Sequence, residues 1–238
     1  MPGDLSSLTA VILAGGLGTR LQAVVADRPK VLADIGGRPF LAYLLDQLAA
    51  AGIRYAVLCT GYLGEQVQSA FGHSYAGLRL AYSQEPSPLG TAGALRLAMP
   101  LLESDPVLVM NGDSFCQADL PAFWAWHCAH VSAATLLVTE MPDTERYGRV
   151  QTGADDRVLH FDEKGSARGP GWISAGIYLL SRSVVETIPS GRAVSIERET
   201  FPAWIGRGLY AYRSQGRFMD IGTPETYTDA ERFFHVRI

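Results

Sequence analysis

The chain has 238 residues, 47% hydrophobic and 18% charged, with a formal net charge of −4. That composition fits a globular chain with a real core and excludes a disordered one. The acidic balance argues against a nucleic-acid binder, so any anionic ligand must be met by local cations and backbone dipoles.

The segment Met1 to Thr9 lacks the basic start and long apolar run of a signal peptide. Ala10–Ala14 is far too short to cross a membrane, and no later segment reaches the ~20 apolar residues required. Cys59, Cys116 and Cys128 are odd in number and show no C-x-x-C spacing, which speaks against a disulfide framework and a zinc knuckle. The expectation is a reduced, cytoplasmic protein without membrane or nucleic-acid partners.

Along the chain, Thr9–Ala14 reads as a buried strand, Phe40–Ala51 as an amphipathic helix and Tyr55–Thr60 as the next strand. A helix near Leu63–Phe71, a strand at Leu78–Ser83 and a helix over Thr91–Met99 follow. Pro106–Met110 is a continuous apolar strand, trailed by a helix at Leu120–His130. Such alternation predicts parallel pairing with helices on both faces, and ligands beyond the carboxyl ends of the strands. The second half is richer in strands: Ala134–Glu140, Gly148–Gln151, Val158–Asp162 and Ile173–Leu180. Helical patterns at Ser195–Gly206 and Pro224–Phe234 flank β-like runs at Leu209–Tyr212 and Arg217–Ile221. No linker or repeat divides the chain. The expectation is a single α/β domain over residues 1–238, a Rossmann-like three-layer sandwich with a mostly parallel mixed sheet and a small strand-rich lobe.

The loop after the first strand, Leu13-Ala14-Gly15-Gly16-Leu17-Gly18-Thr19-Arg20-Leu21, carries three glycines in four positions. Backbone N–H groups there can cradle phosphate oxygens, and Arg20 can add a charge-assisted contact; a tight βα turn without ligand is the alternative. The P-loop pattern is absent. A dinucleotide fingerprint needs glycine where Leu21 stands, and Pro29 interrupts the segment that would have to be its crossover helix. Pro29 also stiffens the chain before Lys30, whose ammonium can neutralise triphosphate charge or simply sit in solvent.

The spacing G-G-x-G-T-R-L, followed by Pro29-Lys30, resembles the sugar-phosphate nucleotidyltransferases. Further motifs in the same order carry the resemblance from about Ala10 to Phe234: Pro88-Leu89-Gly90-Thr91-Ala92-Gly93, Asn111-Gly112-Asp113, Tyr147-Gly148, Glu163-Lys164, Ala175-Gly176 and Asp220-Ile221-Gly222-Thr223-Pro224. Within the family the pattern is most similar to the short D-glycero-α-D-manno-heptose 1-phosphate guanylyltransferases. The resemblance implies a GT-A-type fold and a reaction joining a nucleoside triphosphate, GTP by preference, to a sugar 1-phosphate with release of pyrophosphate. It implies Asp113 and Asp220 as ligands of a catalytic Mg²⁺, and Arg20, Lys30 and Asp113 as catalytic residues. Nucleotide contacts fall on Leu13, Ala14, Gly15, Gly16, Gly18, Thr19, Arg20, Lys30, Glu85, Pro88, Gly90, Thr91 and Asp113. Sugar-phosphate contacts fall on Asn111, Gly148, Glu163, Lys164, Ser174, Ala175 and Gly176. Residues 10–130 would mainly serve the nucleotide and 131–222 the sugar phosphate, with 223–238 as a C-terminal helix.

Glu85 is the expected base reader, because one carboxylate can accept both the N1–H and N2–H of guanine. Ser174 departs from the Asn that many relatives carry before Ala-Gly, which puts the sugar in question. Asp220 read alone is a turn or cap residue, and Glu163-Lys164 read alone an exposed strand end. His127 and His130 stand three apart on a helix without a partner pair, so both are expected to be helix surface or edge residues; Trp124 and Trp126 are expected to pack. Mannose 1-phosphate guanylyltransfer and thymidylyl or uridylyl transfer to another hexose 1-phosphate stay open, as does a homo-oligomer. A glycosyltransferase would need a second acid where Phe115 stands. A non-catalytic sugar-nucleotide sensor would not need both carboxylates.

Overall fold

The structure is a computed structural model that describes residues 4–16, 18, 20–21, 24–25, 27–130, 132–162, 165 and 168–235. It opens with β1 (Thr9–Leu13), β2 (Asp34–Ile35), β3 (Arg38–Pro39), α1 (Phe40–Ala50), β4 (Tyr55–Thr60), α2 (Gly64–Phe71), β5 (Ser74–Tyr75), β6 (Leu78–Gln84) and α3 (Gly90–Ala98). There follow β7 (Val107–Asn111), β8 (Ser114–Cys116), α4 (Leu120–Ala129), β9 (Ala134–Met141), β10 (Val150–Thr152), β11 (Val158–Phe161) and β12 (Gly171–Leu180). The chain ends with α5 (Arg182–Glu186), α6 (Phe201–Trp204), β13 (Leu209–Ser214), β14 (Phe218–Asp220) and α7 (Pro224–His235).

Eight strands form the central sheet in the order β13-β9-β12-β7-β1-β4-β6-β5. β7, β1, β4 and β6 run parallel, as do β9 and β13; β12 and β5 are reversed. Because β1 is apolar on both faces, it divides its side chains between two cores. Ala10 and Ile12 pack toward α1 and α2, whereas Val11 packs toward α3 and α5. That double burial places a layer of helices on each side of the sheet. Among the described residues no helix is long and apolar enough to cross a membrane.

Local chemistry sets the ends. α1 stops in a Schellman motif, with Ile53 N–H on the Leu48 carbonyl at 3.2 Å, Gly52 N–H on that of Ala49 at 3.0 Å, and Gly52 at φ +87°. α4 starts at Asp119, whose carboxylate accepts the Ala122 N–H at 2.9 Å.

The expected elements of the first half fall where the pattern placed them, within a residue or two. In the second half β9, β12 and β13 extend the main sheet. The strand-rich remainder consists of the hairpin-like pair β10–β11 and the short pair β8–β14. The helix expected over Ser195–Gly206 is instead a π-helical turn, Ile196–Thr200, running into α6. Pro202 lacks the N–H that a continuous α-helix requires beyond its first turn, and the wider turn places Phe201 in the core. α5 follows Ser181 and is too short for periodicity to have shown it.

Candidate active site

The parallel strands bring Leu13, Thr60, Gln84 and Asn111 to one sheet edge, and the loops leaving them form the site. Leu13 pairs with both Cys59 and Asn111, while Gly112 N–H donates to the Leu13 carbonyl at 2.9 Å. A Cβ on Gly112 would lie 2.6 Å from that carbonyl oxygen, so glycine is what allows β7 to turn off across β1. The loop after β1 thereby reaches the carboxylate that follows β7.

Asp113 is half exposed and its Oδ2 accepts from Lys30 Nζ at 2.8 Å, with Lys30 almost enclosed. Lys30 opens a 3-10 turn after Pro29, and its stem packs against Gly18. The second carboxylate arrives from 107 residues further on, because β14 pairs antiparallel with β8 and sets Asp220 opposite Ser114. Ile221 N–H then donates to the Asp113 carbonyl at 2.9 Å, which fixes the two turns together. Asp220 is well buried. Its Oδ1 accepts the Gly222 N–H at 2.7 Å, its Oδ2 accepts the Tyr147 hydroxyl at 2.5 Å, and the Arg146 guanidinium stands 3.6 Å from Oδ1. Burial beside Asp220 raises the Tyr147 phenol far above its ordinary range.

Two carboxylates locked to one another through Ile221 and the β8–β14 pair are an oxygen-only donor set. They suit Mg²⁺, which takes one or two protein carboxylates and completes its shell with phosphate and water. Among the described residues no group of three His, Cys, Asp or Glu side chains could hold a metal without such help.

Glu85 follows β6 and lodges against the glycine loop. A Cβ on Gly15 would meet its Oε1 at 2.1 Å and one on Gly61 would meet it at 2.8 Å. Its Oε2 accepts the Leu89 N–H at 2.7 Å. Burial pushes the Glu85 carboxyl upward, partly offset by that Leu89 bond. One of its oxygens therefore already shapes the Pro86–Leu89 turn. Gly16 differs from its neighbour: among the described residues, an added Cβ would meet no atom within 4 Å.

The start of α3 is committed to the protein itself. The Val194 carbonyl takes the Ala92 and Gly93 N–H groups at 3.0 and 3.4 Å, and Thr91 Oγ1 accepts the Ile196 N–H at 2.8 Å. Gly90 and Thr91 thus join the nucleotide side to the segment that carries the π-turn, while Pro88 is exposed in the loop between. Arg20 is exposed at the rim.

Of the residues expected to meet the sugar phosphate, Asn111 and Gly176 lie together: a Cβ on Gly176, at φ +73°, would come within 2.9 Å of Asn111 Nδ2. A bulge in β12 between Ser174 and Ile177, the Ala175-Gly176 pair, creates this approach. Ser174 Oγ donates to the buried Tyr178 hydroxyl at 3.2 Å, and that hydroxyl donates to Glu197 at 3.0 Å. Gly148 ends a turn whose N–H groups bond the Thr144 carbonyl. Glu163 and Lys164, like Thr19, lie outside the described residues. Tyr147, quoted in the Tyr147-Gly148 motif without a role, and Arg146 and Glu197, outside the motifs, join the candidate site in the structure; an Arg before that motif and a Glu within a helical pattern carry no chemical signal of their own.

The two histidines part company. His127 is buried rather than a surface or edge residue, with Nδ1 bonded to the Thr135 and Ser132 hydroxyls, whereas His130 stacks on Trp126 at 3.7 Å.

Over residues 9–236 the chain matches the family described as Nucleotidyl transferase, and it belongs to that family. It is 38% identical over 222 residues to mannose-1-phosphate guanylyltransferase of Mycobacterium tuberculosis (strain ATCC 25618 / H37Rv), a match that covers 92% of this chain and 62% of that protein. With the D-glycero-alpha-D-manno-heptose 1-phosphate guanylyltransferase of Aneurinibacillus thermoaerophilus it shares 35% identity over 226 residues, covering 94% of this chain and 97% of the relative. The crystal structure of HddC from Yersinia pseudotuberculosis superposes with a TM-score of 0.84 at 32% identity, over 95% of this chain and 99% of that one. The same protein complexed with GMP-PN gives 0.83 at the same identity and coverage.

Proposed function

We propose that this chain is a cytoplasmic, Mg²⁺-dependent guanylyltransferase that joins GTP to a sugar 1-phosphate, D-glycero-α-D-manno-heptose 1-phosphate by preference, giving a GDP-sugar and pyrophosphate. The observation that carries the reading is the cluster of Lys30, Asp113 and Asp220 at the mouth of the glycine loop. That is the charge pattern a triphosphate, a divalent cation and a second phosphate need at one point. Gly16 supports it, since none of the described residues fills the space beside it and a phosphate can approach the backbone there.

The sugar phosphate oxygen attacks the α-phosphorus of the triphosphate in line. A P–O bond forms there as the bond to the β-phosphoryl oxygen breaks, and pyrophosphate leaves with that electron pair. A phosphate oxygen is already a nucleophile at neutral pH, so no general base is required and catalysis is positioning and charge cancellation. Lys30 and Arg20 take charge on the triphosphate, and Lys164 takes it on the sugar phosphate. Asp113 and Asp220 would hold the Mg²⁺, which supplies Lewis-acid stabilisation of the phosphoryl oxygens when bound. Glu85 reads guanine with Oε1 while Oε2 is shared with the Leu89 N–H. In this scheme residues 10–130 serve mainly the nucleotide and 131–222 the sugar phosphate.

Mannose 1-phosphate is the second reading, favoured by the 38% identity to the mycobacterial enzyme. The test is a matrix of GTP, ATP, UTP, CTP and dTTP against sugar 1-phosphates, scored by pyrophosphate release. GTP with the heptose 1-phosphate should turn over fastest. Faster turnover of glucose 1-phosphate with dTTP would defeat the assignment, and no release from any pair would favour a non-catalytic sensor.

A further inference from the structure

We propose that Arg146 grips the phosphate of the sugar 1-phosphate; this rests on the reading of the chain as a sugar-phosphate nucleotidyltransferase. Arg146 stands 3.6 Å from Asp220 Oδ1 and is nearly half exposed. That distance is an ion pair too long for a hydrogen bond. Asp220 is already held by Tyr147 at 2.5 Å and Gly222 at 2.7 Å, so Arg146 adds little to its placement. Some surface arginines spend their donors, Arg38 on Asp46 at 2.7 Å and Arg79 on both oxygens of Glu103 at 2.8 and 2.7 Å. Among the described residues the Arg146 guanidinium has only the Asp220 ion pair and the face of the Tyr147 ring, 5.5 Å from its centroid. Arg146 makes no hydrogen bond among the described residues.

Its backbone is nevertheless fixed. The flanking turn bonds Tyr147 N–H and Gly148 N–H to the Thr144 carbonyl at 3.0 and 3.1 Å. The Glu145 carbonyl accepts the Gly165 N–H at 2.8 Å, directly after the Glu163-Lys164 pair. Arg146 is thus anchored between the Asp220 carboxylate and Gly165, beside one of the two carboxylates proposed to meet the phosphates. A guanidinium fork matches two phosphate oxygens, a geometry that lysine cannot supply. The site also needs the charge: triphosphate, sugar phosphate and two carboxylates meet there, and only Lys164 was assigned to the sugar side.

The experiment compares wild type with Arg146→Ala and Arg146→Lys, varying mannose 1-phosphate at saturating GTP and then GTP at saturating mannose 1-phosphate. Loss of a charge-assisted pair should raise the KM for mannose 1-phosphate roughly ten- to a hundredfold in Arg146→Ala. The KM for GTP should stay within about twofold, with part of the loss recovered by lysine as a single point charge. Binding of mannose 1-phosphate, measured by equilibrium dialysis with a non-hydrolysable GTP analogue present, should weaken by a similar factor. Unchanged KM and binding in Arg146→Ala would overturn the assignment, as would an equal rise in the KM for GTP. If wild type binds mannose 1-phosphate but releases no pyrophosphate with any substrate pair, the catalytic reading fails and the dialysis still judges Arg146. No binding by wild type would sink both.

Discussion

Replacing Glu85 with glutamine changes a single atom at one corner of the glycine loop and asks whether that corner reads the base. In the native chain Oε2 accepts the Leu89 N–H at 2.7 Å. Glutamine keeps that bond only by turning its carbonyl oxygen toward Leu89. Its NH₂ group must then occupy the place of Oε1, against Gly15 and Gly61. The loop therefore survives, while the atom offered to the base changes from acceptor to donor. Guanine presents N1–H and N2–H to this position, so the native bond is lost and two donors confront one another. A hydrogen bond to a charged group contributes about 1.5–3 kcal/mol, and kcat/KM for GTP should fall roughly ten- to a hundredfold. Uracil and thymine offer carbonyl acceptors beside their single N–H, so UTP and dTTP should lose less or gain, as expected of a site that discriminates by leaving polar groups unpaired. The assay is kcat/KM for GTP, UTP and dTTP at fixed Mg²⁺ and sugar phosphate. Equal losses for all three would refute base reading and leave Glu85 as a prop for the Pro86–Leu89 turn.

Asp113→Asn and Asp220→Asn should each lower kcat by about a hundredfold or more while leaving the fold intact; EDTA should abolish wild-type turnover and Mg²⁺ restore it, and near-normal activity in either variant removes that residue from the metal site. Lys30→Ala should chiefly depress kcat and triphosphate use, and Lys164→Ala should chiefly raise the KM for the sugar phosphate; an unchanged KM in the latter defeats its assignment. Burial holds His127 down at about 4, against an ordinary value of 6.5. Between those pH values the unfolded chain binds the extra proton, so the native state loses stability as pH falls through the window. Urea unfolding should show about 2 kcal/mol less stability at pH 5 than at pH 7 from this residue, and His127→Gln should remove that share of the slope; an unaltered slope means that other groups carry it.

The part of the fold that was legible in the sequence is the part governed by local pattern. β1, β4 and β7 are short apolar runs buried on both faces, the mark of an inner parallel strand, and β6 shows itself by the alternation of buried Leu78 and Leu80 about exposed Arg79. The second half was harder because β12 is ten residues long yet bulges at Ala175-Gly176, a feature with no periodic signature. β8 and β14 hold three residues each, below the length at which alternation means anything. Their pairing is a tertiary event, and it is what brings Asp220 to Asp113. Ser195–Gly206 read as helix because its apolar spacing is helical; Pro202 and the demand to bury Phe201 then selected a π-turn.

The same distinction runs through the site. Motif order nominated the residues, but the glycines within those motifs turn out to answer mostly to one another. Gly112 lets β7 cross the Leu13 carbonyl, and Gly176 would collide with Asn111 if it bore a side chain. Each motif is shaped by the contact it makes with the next, so their joint presence is less independent than a count of matches suggests. Gly16 breaks that rule. Its backbone φ lies outside the left-handed region and no described residue lies against its flank, so neither a left-handed backbone nor packing against the described residues asks for glycine there. The proposed nucleotide supplies such a requirement, a phosphate that approaches closer than a methyl allows. Gly16→Ala supplies the argument with its test: it should fold with native stability by urea denaturation and bind GTP at least tenfold more weakly, the loss expected when one charge-assisted hydrogen bond of about 1.5 kcal/mol is blocked. Unimpaired GTP binding would return the loop to an ordinary βα turn.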